Sequence, residues 1–369
     1  MPARCPILIT AGGTGGHVYP GLAVACALKA QGIPVMWMGT RAGLEARVVP
    51  EAGIEMVWLT VTGLRGKGWK TRLLAPFKLL VALFQSVRIM LKYKPAAVLG
   101  MGGFVAGPGG LVAALLGKPV VIHEQNAVPG LTNKWLSTVS QRVLEGFPGT
   151  FVASEKVVAT GNPVRTDIAD LPSPVERLAG RDDEKIHLLV IGGSLGAAAL
   201  NEKVPQALAM LPQAQRPRVR HQAGARNITE AKEHYKQSAV TAEVTDFITD
   251  MAEAYGWADL IICRSGALTV AEVAAAGLAA ILIPYPYAVD DHQTANGVYL
   301  ADNGAALLVQ QRDLSAEKLA AMLQALCADR SRLMEMGVAA RKLAKPYATL
   351  QVAAICAAYA GYDFNEEQK

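Results

Sequence analysis

In the stretch AGGTGGHVYP, Ala11 to Pro20, a histidine stands directly after a glycine-rich turn, which itself follows the apolar run Ile7-Leu8-Ile9. A dinucleotide-binding G-x-G-x-x-G begun at Gly13 needs Gly or Ala at position 18. It meets Val18, so that reading fails at its third glycine. Gly12 to Gly16 let backbone approach a ligand, and His17 adds an imidazole just beyond them. An unperturbed histidine, with a pKa of about 6.5, is largely neutral near pH 7 and suits a general base. The other roles open to His17 are capping the helix or binding a phosphate.

Two more glycine-rich stretches, GMGGFVAGPGG (Gly100 to Gly110) and GGSLG (Gly192 to Gly196), follow apolar runs in the same way. Such turns either permit tight strand-to-helix packing or offer amides and a helix N-terminus to a phosphate. None is followed by Gly-Lys-Ser/Thr at the spacing of a nucleoside-triphosphate loop. GGSLG also fits G-x-S-x-G, with Asp290 to His292 as partners for a nucleophilic Ser194. A nucleophile elbow comes well into one sheet, whereas Ser194 follows an opening strand, so a phosphate-binding hydroxyl is the preferred reading. Adjacent positions in DDH rarely converge on one metal ion, and no metal site is expected. In DLIICRSGALTVAEVAAAG the amides of Ser265 and Gly266 stand where a helix begins, suited to a diphosphate. Glu272, on the second turn, either accepts from two vicinal ribose hydroxyls or merely complements the helix dipole. The loop PYPYAVDDHQTANG suits contact with a sugar.

Positioning these groups requires alternating strands and helices. Runs such as ILIT, VMWM, AAVLG, PVVIH and KVVAT read as buried parallel strands separated by Ala/Leu-rich helices. Arg165 to Lys185 is rich in Pro and charge and reads as a connection between domains. The formula then restarts at HLLVIGGSLGAAALN and continues through RVRHQ, EVTDFI, DLIICR, AAILIPY and AALLVQ. The expectation is an α/β chain of two doubly wound units, residues 1–165 and 166–345, with a helical segment 346–369 that can cross back to the first.

The 369 residues, 51% hydrophobic and 18% charged, exclude disorder and suit two cores. Five cysteines without a C-x-x-C pair argue for a reducing compartment and against a zinc site. No stretch approaches the roughly 20 apolar residues that cross a bilayer, and no signal peptide is evident. Residues 1–165 carry 17 Lys and Arg against 6 Glu and no Asp, and residues 166–369 carry 19 basic against 25 acidic. Different partners are implied for the halves. From Leu64 to Lys94 there are eight basic residues and no acid (Arg65, Lys67, Lys70, Arg72, Lys78, Arg88, Lys92, Lys94), interleaved with Trp69, Leu73, Leu74, Phe77, Leu80, Leu83 and Phe84. Helical spacing places Leu80, Leu83, Phe84, Val87 and Leu91 on one face and Lys78, Gln85, Arg88 and Lys92 on another. This pattern fits either a core helix with a solvated basic side or a surface for anionic phospholipid.

GGTGGHVYP, GMGGFVAGPGG, IHEQNAVPG, GNPVR, GGSLGA, CRSGALTVAE and DDHQTANG, in this order over nearly the whole chain, resemble the MurG family of bacterial cell-wall glycosyltransferases. The resemblance implies a GT-B fold of two Rossmann-like domains facing across a cleft, an acceptor- and membrane-binding N-terminal one and a UDP-GlcNAc-binding C-terminal one. It implies inverting transfer of N-acetylglucosamine from UDP-GlcNAc to the C4 hydroxyl of lipid I, without a cofactor or a metal-holding D-x-D motif. Donor contacts carry over to Thr14, Gly15, Gly16, Asn126, Arg165, Ser194, Ile248, Ala267, Leu268, Thr269, Val270, Ala271, Glu272 and Gln293, and the base to His17 or Glu124. Arg165 and Ser194 would bind phosphate, Ile248 would offer backbone to the uracil, and Asn126 and Gln293 would bond sugar hydroxyls. Peripheral attachment to the cytoplasmic face of the inner membrane is also implied, with cell-wall synthesis and division proteins as partners and no nucleic acid. A UDP-sugar 2-epimerase of similar fold and a non-catalytic nucleotide-sugar-binding scaffold at the membrane are the alternatives.

Overall fold

The computed structural model describes residues 5–60, 75–181, 185–193 and 196–365. The chain divides into two compact units, residues 1–164 with 347–369, and residues 165–346.

The first unit is built on a seven-stranded parallel sheet ordered β3-β2-β1-β4-β5-β6-β7. Its strands are β1 (Ile7–Thr10), β2 (Val35–Gly39), β3 (Glu55–Trp58), β4 (Ala97–Gly100), β5 (Val120–Glu124), β6 (Arg142–Glu145) and β7 (Val157–Ala159). Helices cover both faces, so successive strand residues feed opposite cores. Ile7, Ile9, Leu99 and Val121 pack with Val18, Val24 and Leu28 of α1 (Gly15–Ala30), while Leu8, Val98, Val120 and Ile122 pack on the other side. There they meet Met90 of α3 (Ala75–Tyr93), Val105 and Val112 of α4 (Gly103–Leu115), and Leu136 of α5 (Leu131–Val139). Between β2 and β3 lies α2 (Glu45–Glu51). The last helix, α15 (Ala348–Tyr359), buries Val352, Ala353, Cys356 and Ala357 in the α1 core. Thr349 Oγ1 also donates to the Val164 carbonyl at 3.1 Å.

The second unit repeats the plan with six parallel strands ordered β10-β9-β8-β11-β12-β13. They are β8 (His187–Ile191), β9 (Arg218–Gln222), β10 (Glu243–Thr245), β11 (Leu260–Cys263), β12 (Ala279–Leu282) and β13 (Ala306–Leu308). The segment read as a connection is folded onto this unit instead. It forms α6 (Thr166–Ala169) and α7 (Pro174–Leu178), the latter opened by a Ser173–Glu176 capping box. Arg177 donates to the carbonyls of Ala276 and Gly277, at the end of α11 (Ala267–Ala276). Arg181 is paired with buried Asp259 at 2.9 Å.

In both sheets the strand order reverses at one place, between β1 and β4 and between β8 and β11. Open α/β sheets bind ligands at such switch points, beyond the carboxyl ends of the strands. GGTGGH and GMGG therefore flank one switch point, and GGSLG and RSGALTVAE flank the other.

The first of these turns is held by a side chain the sequence did not single out. Glu45 is fully buried, and its carboxylate accepts from Thr40 N (2.9 Å), Thr40 Oγ1 (2.8 Å) and Gly13 N (3.2 Å). A Cβ on Gly12, Gly39 or Gly43 would approach this side chain to 2.7 Å or closer, so three glycines make the space it occupies. Replacing Glu45 with Ala strands three donors in the interior. The expected loss is about 3 to 5 kcal/mol from the first unit, read as a lower urea midpoint. An unchanged midpoint would show that the carboxylate does not hold the turn.

Candidate active site

Thr14 stands at the N-cap of α1 with no side-chain cap, and Gly15, Gly16 and His17 form the helix's first turn. His17 is half-buried over the neighbouring glycine turn. Gly102 and Gly103 adopt φ of +94° and +76°, and a Cβ on Gly102 would lie 3.1 Å from His17 Cε1. A Cβ on Gly103 would meet the Gly12 carbonyl at 2.7 Å. The two glycine-rich turns thus pack against each other as one surface, which explains why both need residues without side chains.

The HEQN stretch closes this site from β5. Glu124 is 1% exposed, and its carboxylate accepts four hydrogen bonds: Asn126 N (3.0 Å) and Nδ2 (3.1 Å) at Oε1, and Gly130 N (3.0 Å) and Asn133 Nδ2 (2.9 Å) at Oε2. Strand alternation turns His123 and Gln125 the other way. Gln125 Oε1 lies 2.7 Å from His17 Nδ1, Gln125 Nε2 lies 3.1 Å from His123 Nδ1, and His123 Nε2 lies 2.9 Å from the Gly161 carbonyl. Burial pushes His123 down to about 4, opposed by its bond to Gly161, so it is neutral near pH 7. Gln125 and His123 escaped the sequence reading. The signal that would have found them is the i, i+2 alternation at the end of a strand leading to the switch point.

In the second unit, residues Ala267 to Glu272 form the first turn and a half of α11, whose N-cap is Gly266 with no side-chain cap. Glu272 is partly buried and accepts from the Tyr255 hydroxyl at 2.9 Å; Tyr255 lies on α10 (Met251–Trp257). Burial pushes the Glu272 carboxyl up to about 7, against the Tyr255 hydrogen bond and the charge of Arg165. Arg165 caps the start of α6 within this unit and lies 3.9 Å from Asp167. Ile248 and exposed Phe247 lie past β10, at the edge of the sheet. Gln293 is in the first turn of α12 (His292–Ala301), and its Oε1 accepts from Tyr285 N at 2.9 Å, leaving its amide N–H groups to donate elsewhere. Ahead of α12, Asp290 and Asp291 both hold φ near +50°. Ser194 lies outside the described residues. No cluster of three or more His, Cys, Asp or Glu able to hold a metal ion occurs among the described residues.

Two glycine-turn switch points, one carrying an imidazole and the other a helix N-terminus beside a carboxyl, define a nucleotide-sugar-dependent glycosyltransferase of the GT-B class. Residues 7–145 match the N-terminal domain model of glycosyltransferase family 28, and residues 187–351 match its C-terminal domain model. A Methylococcus capsulatus protein described as a UDP-N-acetylglucosamine–N-acetylmuramyl-(pentapeptide) pyrophosphoryl-undecaprenol N-acetylglucosamine transferase is 55% identical, covering 96% of this chain and 99% of its own length. A crystal structure of Acinetobacter baumannii MurG superposes with a TM-score of 0.82 at 46% identity, covering 95% of this chain and 98% of that one. A Neisseria meningitidis UDP-GlcNAc 2-epimerase shares the fold, with a TM-score of 0.65 at 12% identity and 94% and 98% coverage. The chain belongs to glycosyltransferase family 28 and, within it, to the MurG family.

A carboxyl that titrates near 7 binds hydroxyls best when ionised, because charge-assisted hydrogen bonds are the stronger ones. Below pH 7 Glu272 takes up a proton and loses acceptor strength. UDP-GlcNAc affinity should therefore fall about ten-fold between pH 8 and pH 6, and Glu272→Gln should flatten that dependence. Calorimetry finding equal affinity at both pH values in the unaltered chain would show that the Glu272 carboxyl does not accept from the bound donor.

Proposed function

We propose that this chain transfers N-acetylglucosamine from UDP-GlcNAc to the C4 hydroxyl of undecaprenyl-pyrophosphoryl-N-acetylmuramoyl-pentapeptide, converting lipid I to lipid II in peptidoglycan synthesis, with His17 as the general base. The observation that carries this reading is the setting of His17. Its ring lies on the switch-point glycines with Nδ1 engaged by Gln125, and Nε2 has no hydrogen bond among the described residues. The acceptor oxygen attacks the anomeric carbon, its proton passes to His17 Nε2, and the bond from that carbon to the diphosphate breaks, with UDP keeping the electron pair. Attack opposite the leaving group inverts the configuration.

Glu124, the other candidate base, is reassigned. Four donors occupy its carboxylate, so taking a proton there would break the bonds that hold residues 126–133. It is the anchor that presents Asn126. In the donor half, the amides at the start of α11 and the Arg165 guanidinium suit the diphosphate, Ser194 is a further candidate, and Glu272 suits the ribose. Phe247 beside Ile248 offers a ring face to the uracil, and Asn126 and Gln293 offer hydrogen bonds to sugar hydroxyls. The 2-epimerase alternative rests on likeness of fold alone, at 12% identity. A non-catalytic scaffold would leave the His17 arrangement without a use.

The acceptor is a membrane lipid, and no helix among the described residues is long and apolar enough to cross a bilayer. Attachment is proposed through α3. The structure divides the apolar face read from the sequence. Leu83 and Val87 pack against the core, while Phe77, Leu80, Phe84 and Leu91 are 60–69% exposed along one stripe. Exposed Arg88 and Lys92 border that stripe, with half-buried Lys78. Arg65, Lys67, Trp69, Lys70, Arg72, Leu73 and Leu74 lie outside the described residues. Anionic phospholipid of the cytoplasmic leaflet fits this chemistry, each basic residue contributing up to about 1 kcal/mol. Cell-wall synthesis and division proteins are proposed as further partners on the family resemblance alone.

His17→Ala should fold and bind UDP-GlcNAc as before, yet lose about 10²- to 10⁴-fold in kcat with a soluble lipid I analogue. Near-normal turnover would move the base elsewhere. In co-sedimentation, Arg88→Glu/Lys92→Glu should bind phosphatidylglycerol vesicles more weakly than the unaltered chain, and Phe84→Asp likewise. Equal binding of the unaltered chain to phosphatidylglycerol and phosphatidylcholine vesicles would end the electrostatic account.

A further inference from the structure

We infer that Gln125 and His123 are positioning residues that fix the tautomer of His17, placing its proton on Nδ1 and leaving Nε2 as the lone-pair nitrogen. The inference rests on the reading of His17 as the base and says how that base is kept ready.

The assignment follows from the fixed end of the chain. The Gly161 carbonyl can only accept, so the nitrogen 2.9 Å from it, His123 Nε2, carries hydrogen. His123 is fully buried and neutral, so its other nitrogen, Nδ1, is an acceptor. Facing that acceptor at 3.1 Å is the Gln125 side-chain nitrogen, which also lies 3.2 Å from the His123 carbonyl oxygen. Two acceptors against one amide end require it to be the NH2 end. The reversed amide would set carbonyl against carbonyl and leave the Gly161 oxygen facing a lone pair. Gln125 Oε1 therefore points to His17, and at 2.7 Å it accepts from Nδ1–H. A neutral imidazole with hydrogen on Nδ1 has none on Nε2.

The rest of the site keeps the relay in place. Gln125 is 1% exposed, and its backbone carbonyl accepts from Asn162 Nδ2 at 3.0 Å. Gly102, at a φ of +94° that glycine adopts readily, leaves room for the His17 ring, since a Cβ there would lie 3.1 Å from Cε1 and 3.2 Å from the Nδ1 that meets Gln125. The groups that hold His17 carry no charge, Gln125 being an amide and His123 a neutral imidazole. They orient the ring without setting a carboxylate against Nδ1, so the imidazolium formed on proton uptake is not trapped by an ion pair and can release its proton for the next turnover.

The test reads the tautomer directly, by long-range proton–nitrogen correlation spectra of the full chain labelled with 15N-histidine, the His17 signals being those lost in His17→Gln. The expected pattern is Nδ1–H for His17 and Nε2–H for His123. In Gln125→Met, of similar shape but without the amide, His17 should pass to a mixture rich in Nε2–H, and kcat should fall about 10- to 100-fold with UDP-GlcNAc affinity unchanged. A purely structural role for Gln125 would leave the tautomer as it is. The inference is overturned if unaltered His17 shows Nε2–H, or if Gln125→Met leaves both tautomer and kcat unchanged. Should that variant not fold, the spectrum of the unaltered chain decides alone. An inactive His17→Ala together with Nε2–H in the unaltered chain would defeat this inference while sparing the base. A fully active His17→Ala would defeat the base reading whatever the tautomer.

Discussion

Parallel strands in this protein end in loops whose backbone amides have no ladder to join, and buried carboxylates take those amides one loop at a time. Glu45 holds the turn after β1, and Glu124 holds residues 126–130 after β5. Glu145, 4% exposed, accepts from Gly149 N at 2.8 Å and Phe151 N at 3.0 Å after β6. In the second unit a buried carboxylate works at the other end of the sheet, where Asp259, just before β11, accepts from His187 N at the start of β8 at 2.9 Å and pairs with Arg181. An amide left unpaired in the interior costs about as much as a lost hydrogen bond, and bonds to an ionised acceptor are the stronger kind. The backbones of these loops are consequently held by side chains buried behind them.

That constraint accounts for three of the glycines, and the packing of the turns it holds accounts for two more. Gly12, Gly39 and Gly43 clear space for Glu45, Gly103 clears the Gly12 carbonyl, and Gly102 clears the imidazole of His17. The glycine-rich turns look alike in sequence, but in the first unit two of them serve mutual packing and the seating of the His17 ring. In the second unit, the turn after β11 opens straight into α11, whose uncapped amides are free for an anion.

The two units thus place different chemistry on one architecture. The first sets an amide and two imidazoles in a chain ending at a backbone carbonyl. The second sets a carboxyl near its titration point beside a helix N-terminus, with Tyr255 and Arg165 opposing the effect of burial.

Strand and helix alternation, the restart of the pattern at His187 and the three glycine turns were legible in the sequence because each is a local pattern: period two, period 3.6, or a backbone that tolerates no Cβ. His17 and Glu272 stood out as candidates for the same reason, standing at fixed offsets from those turns. The linear pattern misjudged the stretch after Arg165, whose Pro and charge suggested a connection, because arginines that bond distant carbonyls look the same as solvated ones. It also grouped Leu83 with Phe84, since helical spacing does not say which of two apolar neighbours meets the sheet. The roles of Glu45 and Gln125 belong to the tertiary structure alone. Each depends on which donors meet which acceptors across separations of 32 and 108 residues, and only the packed sheet brings those groups within hydrogen-bonding distance.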